Sequence, residues 1–241
     1  MKNIIKKYSG IIKLILCFII FFLTPTCFAL LLDLFKIDYL SDPNVNLIAT
    51  FIANILRTIL IFLLFFKDVK EDFKKIKGHF WEYSDIAVKY WLIGLVVMAV
   101  TNIAIQLLTP SKMAVNEGNV REMIKMAPVF MLILTTLSAP ISEELLFRKS
   151  FKNVISDKIT YIVISGLVFG AMHVVTSYSS LYDLLYLIPY SALGISFASI
   201  CWKTDNILPT MIVHAIHNGA ITIVTIVTAL SSGMILWKEL M

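Results

Sequence analysis

The chain has 241 residues, of which 59% are hydrophobic and 15% are charged, and its mean hydropathy is +0.84. This composition is too apolar for a soluble globular domain and predicts a polytopic membrane protein whose solvent is the lipid bilayer. The net charge of +5 does not indicate a nucleic-acid partner, because lysines in a membrane protein serve to retain loops in the cytoplasm.

Apolar runs of about 20 residues predict seven membrane-spanning helices. Their predicted bounds are Leu14–Phe35, Val45–Phe66, Ile86–Leu108, Pro128–Phe147, Ile159–Val175, Leu181–Trp202 and Ile207–Leu236. The predicted fold class is therefore an all-α transmembrane bundle.

The first predicted span has two interpretations. Lysines precede it, and residues 26–29 faintly resemble a signal-peptide cleavage site. The apolar run continues through Leu30, Leu31 and Leu32, however, which is too long for a typical signal core. We expect a retained helix.

Basic residues cluster in alternate connections between the predicted spans. They are Lys2, Lys6, Lys7 and Lys13, then Lys67, Lys70, Lys74, Lys75 and Lys77, then Arg148, Lys149, Lys152 and Lys158, and finally Lys203. The positive-inside rule then predicts a multi-pass protein of the cell membrane with its N-terminus in the cytoplasm and its C-terminus outside.

Other features of the first half carry less information. Arg57 lies within a span, where an isolated charge costs at least about 2.5 kcal/mol, so it is expected to face the bundle or to pair with a carboxylate. The polar segment Thr109–Ala127 predicts a surface helix or a lid. Three cysteines without paired spacing are expected to be buried hydrophobes, namely Cys17, Cys27 and Cys201.

The fourth predicted span carries two adjacent carboxylates. Glu144 and Arg148 are four residues apart on one helix face and can form an ion pair. Glu143 points about 100° away and is left without that partner, which suits a general base that activates water. The alternative is a charged cap at the membrane surface.

The fifth and seventh predicted spans carry histidines at helical spacing. Phe169 and His173 share one helix face, and the small Gly170 lets a neighbouring helix approach closely. A lone histidine of this kind can equally be a packing residue. His214 and Asn218 also share a face and can donate to an oxyanion, or the imidazole can hold a metal.

The three motifs together resemble those of the CPBP family of intramembrane proteases, which includes CAAX prenyl endopeptidases and Abi proteins. Glu143-Glu144 with Arg148 matches E-E-x-x-x-R, Phe169 with His173 matches F-x-x-x-H, and His214 with Asn218 matches H-x-x-x-N. The resemblance covers about residues 128–229. It implies that residues 128–241 form a four-helix catalytic core, and that residues 1–127 supply the preceding helices of one continuous membrane domain.

The resemblance also implies a mechanism. Glu143, helped by His173, activates a water, and His214 and Asn218 stabilise the oxyanion. Glu144 belongs to the implied catalytic set, with Arg148 and Phe169 as structural support. A divalent metal such as zinc stays open as a cofactor, although no H-E-x-x-H zinc helix is present.

The implied substrate is a membrane-associated peptide or a lipid-modified protein, and CAAX processing, peptide maturation and bacteriocin immunity are the implied roles. Two other classes stay open. One is a non-catalytic membrane scaffold or immunity protein that uses the same polar cavity, and the other is a small transporter. The catalytic interpretation requires Glu143 and His173 to meet, which predicts that the fourth helix continues beyond Phe147 through Phe151 to Val154.

Overall fold

The computed structural model describes residues 2–234, with side chains from residue 8 onward. The helices within this range are α1 (Lys2–Leu34), α2 (Pro43–Leu64), α3 (Phe66–Leu108), α4 (Val115–Met126), α5 (Pro128–Ser150), α6 (Lys158–Val175), α7 (Leu181–Thr204) and α8 (Leu208–Ser231). All except α4 are long and apolar enough to cross a membrane, which confirms the all-α fold and the seven predicted spans. Residues 235 and 236, the end of the last predicted span, lie outside the described residues.

Helix α3 begins twenty residues before the predicted start of the third span at Ile86. It has 43 residues and a length of about 65 Å, roughly twice the thickness of the hydrocarbon core. His79 interrupts its helical geometry, with φ −128° and ψ 17°. The charged segment before His79 is therefore a helix outside the apolar run, which a search for apolar runs cannot detect.

Several of the predicted cytoplasmic connections meet at one end of the bundle, here called the basic end. The ion pairs that define it are Lys13–Asp68, Lys75–Asp205, Lys149–Asp72 and Lys152–Asp205. Asp72 is buried, and its Oδ2 also accepts a hydrogen bond of 3.2 Å from the amide of Ile207, next to the start of α8. Loops predicted to share one side of the membrane thus share one end of the bundle, while the side itself stays a prediction.

Close packing of α6 against α7 depends on glycine. A Cβ atom at Gly170 would lie 2.8 Å from the backbone nitrogen of Ser191, and one at Gly166 would lie 2.7 Å from that of Ile195. Neither separation is tolerable, so the close helix approach predicted at Gly170 is confirmed. The predicted surface helix in the segment Thr109–Ala127 forms as α4, which packs against α5 and α8.

Candidate active site

Helix α5 presents its two glutamates between two π-helical segments. The segments are Leu134–Ser138 and Leu145–Ser150, and the ordinary α-helix Ala139–Glu144 lies between them. Such segments occur frequently at functional sites. Helical backbone continues to residue 152 and is followed by a turn at residues 153 and 154, so α5 does extend beyond Phe147.

The two glutamates face different surroundings, as their angular separation on a helix predicts. Glu143 lines a partly open cavity, and 15% of its side chain is exposed. Its Oε2 atom is buried and has no hydrogen-bond partner among the described residues. Glu144 has no exposed surface and does not line that cavity.

Glu144 joins two of the motifs. Its Oε2 lies 3.2 Å from Nε of Arg148, which confirms the ion pair expected from their spacing. Its Oε1 accepts a hydrogen bond of 2.8 Å from Nδ1 of His214. The guanidinium of Arg148 lies 4.3 Å above the ring of Phe169 and donates to the carbonyl of Gly194 at 3.4 Å. A buried charge needs such partners to persist in an apolar core.

His173 is held by its own helix and by a neighbouring ring. Its Nδ1 donates to the carbonyl of Phe169 at 2.9 Å, so the other nitrogen, Nε2, is free to accept. The imidazole stacks on the ring of Tyr190 with 4.8 Å between centroids. Nε2 of His173 lies 3.9 Å from Oε2 of Glu143, so the two groups meet as the catalytic interpretation requires.

The α8 motif contributes two groups near the same carboxylate. Nε2 of His214 lies 4.0 Å from Oε2 of Glu143. Asn218 lines the cavity, and its amide donates to the carbonyl of Thr135 at 3.2 Å. His217 also lines the cavity but packs edge-on against Trp91 rather than against the glutamates.

The cavity has a volume of about 460 Å³ and combines a polar wall with an aromatic wall. The polar wall contains Glu143, His173 and Asn218, and the aromatic wall contains Phe21 and Phe22 of α1. Site residues from the second half of the chain therefore share a chamber with side chains from the first half. A volume of this order accommodates a short stretch of peptide.

The donor groups do not form a zinc site as they stand. Among the described residues, no three His, Cys, Asp or Glu side chains are grouped as metal ligands. Oε2 of Glu143 lies 3.9 Å from Nε2 of His173 and 4.0 Å from Nε2 of His214. Ligands of a tetrahedral zinc lie about 3.3 Å from one another, given bonds of about 2.0–2.1 Å.

Sequence reasoning missed Tyr190 and Thr135, which support His173 and Asn218. A single tyrosine or threonine in an apolar helix carries no signal of its own. Their roles follow from helix packing, because α7 places Tyr190 beside α6 and α5 places Thr135 beside α8.

Fold and site together define a helical membrane protein whose cavity holds a carboxylate that faces two imidazoles and whose Oε2 has no hydrogen-bond partner among the described residues. These are the groups with which a membrane hydrolase can activate water and stabilise an oxyanion.

Comparisons with known proteins agree with this class. Residues 125–220 match the family model described as type II CAAX prenyl endopeptidase Rce1-like, which confirms the resemblance carried by the three motifs. The chain is 28% identical over 111 residues to a protein of Bacillus subtilis (strain 168) named "Putative membrane peptidase YdiL". That alignment covers 45% of this chain and 42% of the relative, so the chain spans less than half the length of the curated relative it matches. No solved structure matches the chain. The comparisons support a membrane protease in general terms.

Proposed function

We propose that the protein is an intramembrane endopeptidase in which Glu143 is the general base. The observation that carries this proposal is the position of its buried Oε2, 3.9 Å from His173 and 4.0 Å from His214 on the wall of a cavity. Oε2 of Glu143 accepts no hydrogen bond from the described residues, and a carboxylate of this kind is costly inside a membrane protein. A catalytic role explains why it is retained.

The separation between Glu143 and His173 suits a water molecule. A gap of 3.9 Å is too wide for a direct hydrogen bond, so we place a water between the two groups. Nε2 of His173 accepts, because Nδ1 already donates to Phe169. A water between the two groups can donate one proton to the carboxylate and the other to the imidazole, which leaves its lone pairs free to attack a carbonyl.

We assign oxyanion stabilisation to His214 and Asn218. The amide nitrogen of Asn218 carries two hydrogens, of which one is used on Thr135 and one remains. Nδ1 of His214 is engaged with Glu144, so Nε2 donates only when it carries a proton as well.

This assignment gives Glu144 and Arg148 positioning roles. Glu144 is fully buried and outside the cavity, so it acts on the reaction through His214. Arg148 pairs with Glu144 and lies over the ring of Phe169. The backbone carbonyl of Phe169 in turn accepts the hydrogen bond that orients His173. The two imidazoles are thus oriented by one connected set of contacts.

The reaction proceeds in two balanced steps. The water oxygen bonds to the peptide carbonyl carbon while its proton passes to Glu143, which forms a tetrahedral oxyanion facing His214 and Asn218. The intermediate then collapses as the carbon–nitrogen bond breaks, and the leaving amine takes the proton from Glu143. No step uses a metal.

We infer that the substrate is a membrane-associated peptide or a lipid-modified protein, because the cavity lies among membrane-spanning helices and has an aromatic wall. Within this proposal, residues 128–241 form the catalytic core and residues 1–127 complete the chamber. The proposed orientation puts the basic end in the cytoplasm. CAAX processing, peptide maturation and bacteriocin immunity are the physiological roles to be compared.

The test is cleavage of a peptide library by purified protein in nanodiscs, with wild type and Glu143→Ala compared at equal folding. We expect the variant to lose activity by about 10²- to 10⁴-fold. Because the proposed steps use no metal, we expect activity to persist in the presence of a chelator. Loss of activity in chelator would show that the reaction requires a metal. If neither wild type nor Glu143→Ala cleaves any peptide, and Glu143→Ala still supports the cellular function of the wild type, the protein is a non-catalytic scaffold rather than an enzyme.

A further inference from the structure

Arg57 is an intramembrane cation that the proposed reaction does not use. It lies in α2 and lines the same cavity as Glu143. The central carbon of its guanidinium lies 4.4 Å above the ring of Phe21, a cation–π contact that orients the planar group. Phe21 packs edge-on against Phe147 of α5 at 6.2 Å, so the guanidinium stands on a wall continuous with the helix of the general base.

Arg148, the other arginine buried beside the site, and three lysines of the basic end have acidic partners. The pairs within 4 Å include Arg148–Glu144, Lys13–Asp68, Lys149–Asp72 and Lys152–Asp205. Arg57 forms no such pair among the described residues, and its buried Nε has no hydrogen-bond partner there. Glu117, another acid of the cavity wall, is engaged by Arg121 at 2.8 Å. Arg57 therefore faces the cavity with Glu143 as a charge partner across it, but with no ion pair or hydrogen bond of its own among the described residues.

An unpaired guanidinium beside a peptidase base has a natural ligand in the peptide. Arginine binds a carboxylate through two parallel hydrogen bonds, and the cation–π contact with Phe21 restricts the position of the guanidinium without using its N–H groups. An extended peptide in the cavity can present a carboxylate either at its C-terminus or on an Asp or Glu side chain. The aromatic contact alone leaves the hydrogen-bonding edge of the guanidinium unused.

We propose that Arg57 is a specificity-determining residue that binds a carboxylate of the substrate and so sets which peptide bond reaches Glu143. This inference rests on the proposed peptidase function. It names one chemistry, a peptide carboxylate, with a terminal or a side-chain source.

The experiment crosses enzyme variants with substrate variants in nanodiscs. The peptides share one cleaved sequence and carry a free C-terminus, an amidated C-terminus, or a glutamine in place of each acidic side chain. The enzymes are wild type, Arg57→Gln, Arg57→Lys and the control Lys13→Gln, which removes a positive charge from the basic end. Both kcat/KM for cleavage and equilibrium binding of fluorescent peptides to Glu143→Gln forms are measured.

We expect wild type to lose roughly 10- to 100-fold in kcat/KM and in affinity when the recognised carboxylate is neutralised. On the charged peptide, Arg57→Gln should have kcat/KM and affinity reduced by the same factor. On the neutralised peptide, its kcat/KM and affinity should fall no further. Arg57→Lys should recover part of the preference, and Lys13→Gln should keep it whole. Comparison of the amidated peptide with the glutamine-substituted peptides identifies the source of the carboxylate.

Three results would overturn the inference while leaving the peptidase intact. Wild type could cleave and bind charged and neutral peptides equally. Arg57→Gln could lose activity equally on both, which would make Arg57 a partner of Glu143 rather than of the substrate. The effect of Arg57→Gln could vanish when anionic lipid is replaced by zwitterionic lipid, which would make an anionic lipid headgroup the ligand. If no peptide is cleaved at all, the binding measurement still decides between a carboxylate-dependent and a carboxylate-independent site.

Discussion

Glu144→Ala is the substitution whose effect on stability follows most directly from the structure. The side chains of Glu144 and Arg148 have no exposed surface, and 3.2 Å separates Oε2 from Nε. Without the carboxylate, the guanidinium retains the carbonyl of Gly194 and the ring of Phe169, and neither neutralises its charge. Breaking a buried pair from one side costs about 3–5 kcal/mol, and we expect that loss in the free energy of unfolding.

The double variant Glu144→Leu/Arg148→Met removes both charges and replaces them by apolar side chains of similar volume. It should recover most of the stability lost by the single variant, with a coupling energy of about 2 kcal/mol or more. Reversible unfolding in mixed micelles, followed by helical circular dichroism, measures wild type, Glu144→Ala, the single variants Glu144→Leu and Arg148→Met, and the double variant. Peptidase activity should stay low in the double variant, because His214 has lost its partner.

Two results would refute this reasoning. A loss below about 1 kcal/mol for Glu144→Ala is what an exposed ion pair gives, and it would show that water reaches the pair. A double variant that is no more stable than Glu144→Ala would show that packing, rather than the stranded charge of Arg148, dominates the loss.

Three further predictions concern packing, orientation and charge. Gly170→Ala should lower the free energy of unfolding by about 1–3 kcal/mol, because the added Cβ would meet the backbone of α7. The control Gly78→Ala, whose Cβ would have nothing within 4 Å, should raise it by about 0.5–1 kcal/mol. Equal shifts in the unfolding temperature of the two variants would contradict the packing argument. Tyr190→Leu should lower kcat/KM about 3- to 10-fold by removing the ring that stacks on the imidazole of α6, and Tyr190→Phe should retain activity; similar losses would implicate the hydroxyl. Burial raises the pKa of Asp205, but the hydrogen bond and charge of Lys152 outweigh it and hold that pKa below 3.8. The contribution of Asp205 to stability is therefore full above about pH 4 and is lost as the pH falls through its pKa in the folded protein. Asp205→Asn should make the free energy of unfolding depend less on pH in that acidic range. An unchanged pH dependence would show that the ion pair with Lys152 does not contribute to stability.

The spans could be predicted because each needs a long apolar run, and a run such as Leu208–Ser231 has few alternatives in a bilayer. The early start of α3 at Phe66 could not be predicted this way, since its first turns alternate lysines with acids and pack through Asp72, whose partners lie more than 70 residues away. Long-range pairings of this kind leave no local pattern.

The site divides in the same manner. Helical spacing placed Glu144 beside Arg148 and separated Glu143 from both. It could not tell that Glu144 would bind His214, because that contact depends on the rotation of α8 against α5. The intramembrane charge of Arg57 marked it as unusual in sequence, but its free edge in the cavity is visible only in three dimensions.

The π-helical segments of α5 determine the direction in which the two glutamates point. Each residue of an α-helix adds about 100° of rotation. A one-residue slip in the π-helical segment Leu145–Ser150 would therefore rotate both glutamates relative to the part of α5 that follows this segment. In one direction of slip, the cavity would still receive a carboxylate from the doublet, but His214 would then face a different side chain. Two adjacent glutamates would thus keep a carboxylate in the cavity after such a slip, but His214 would lose Glu144, so the proposed reaction would still be impaired.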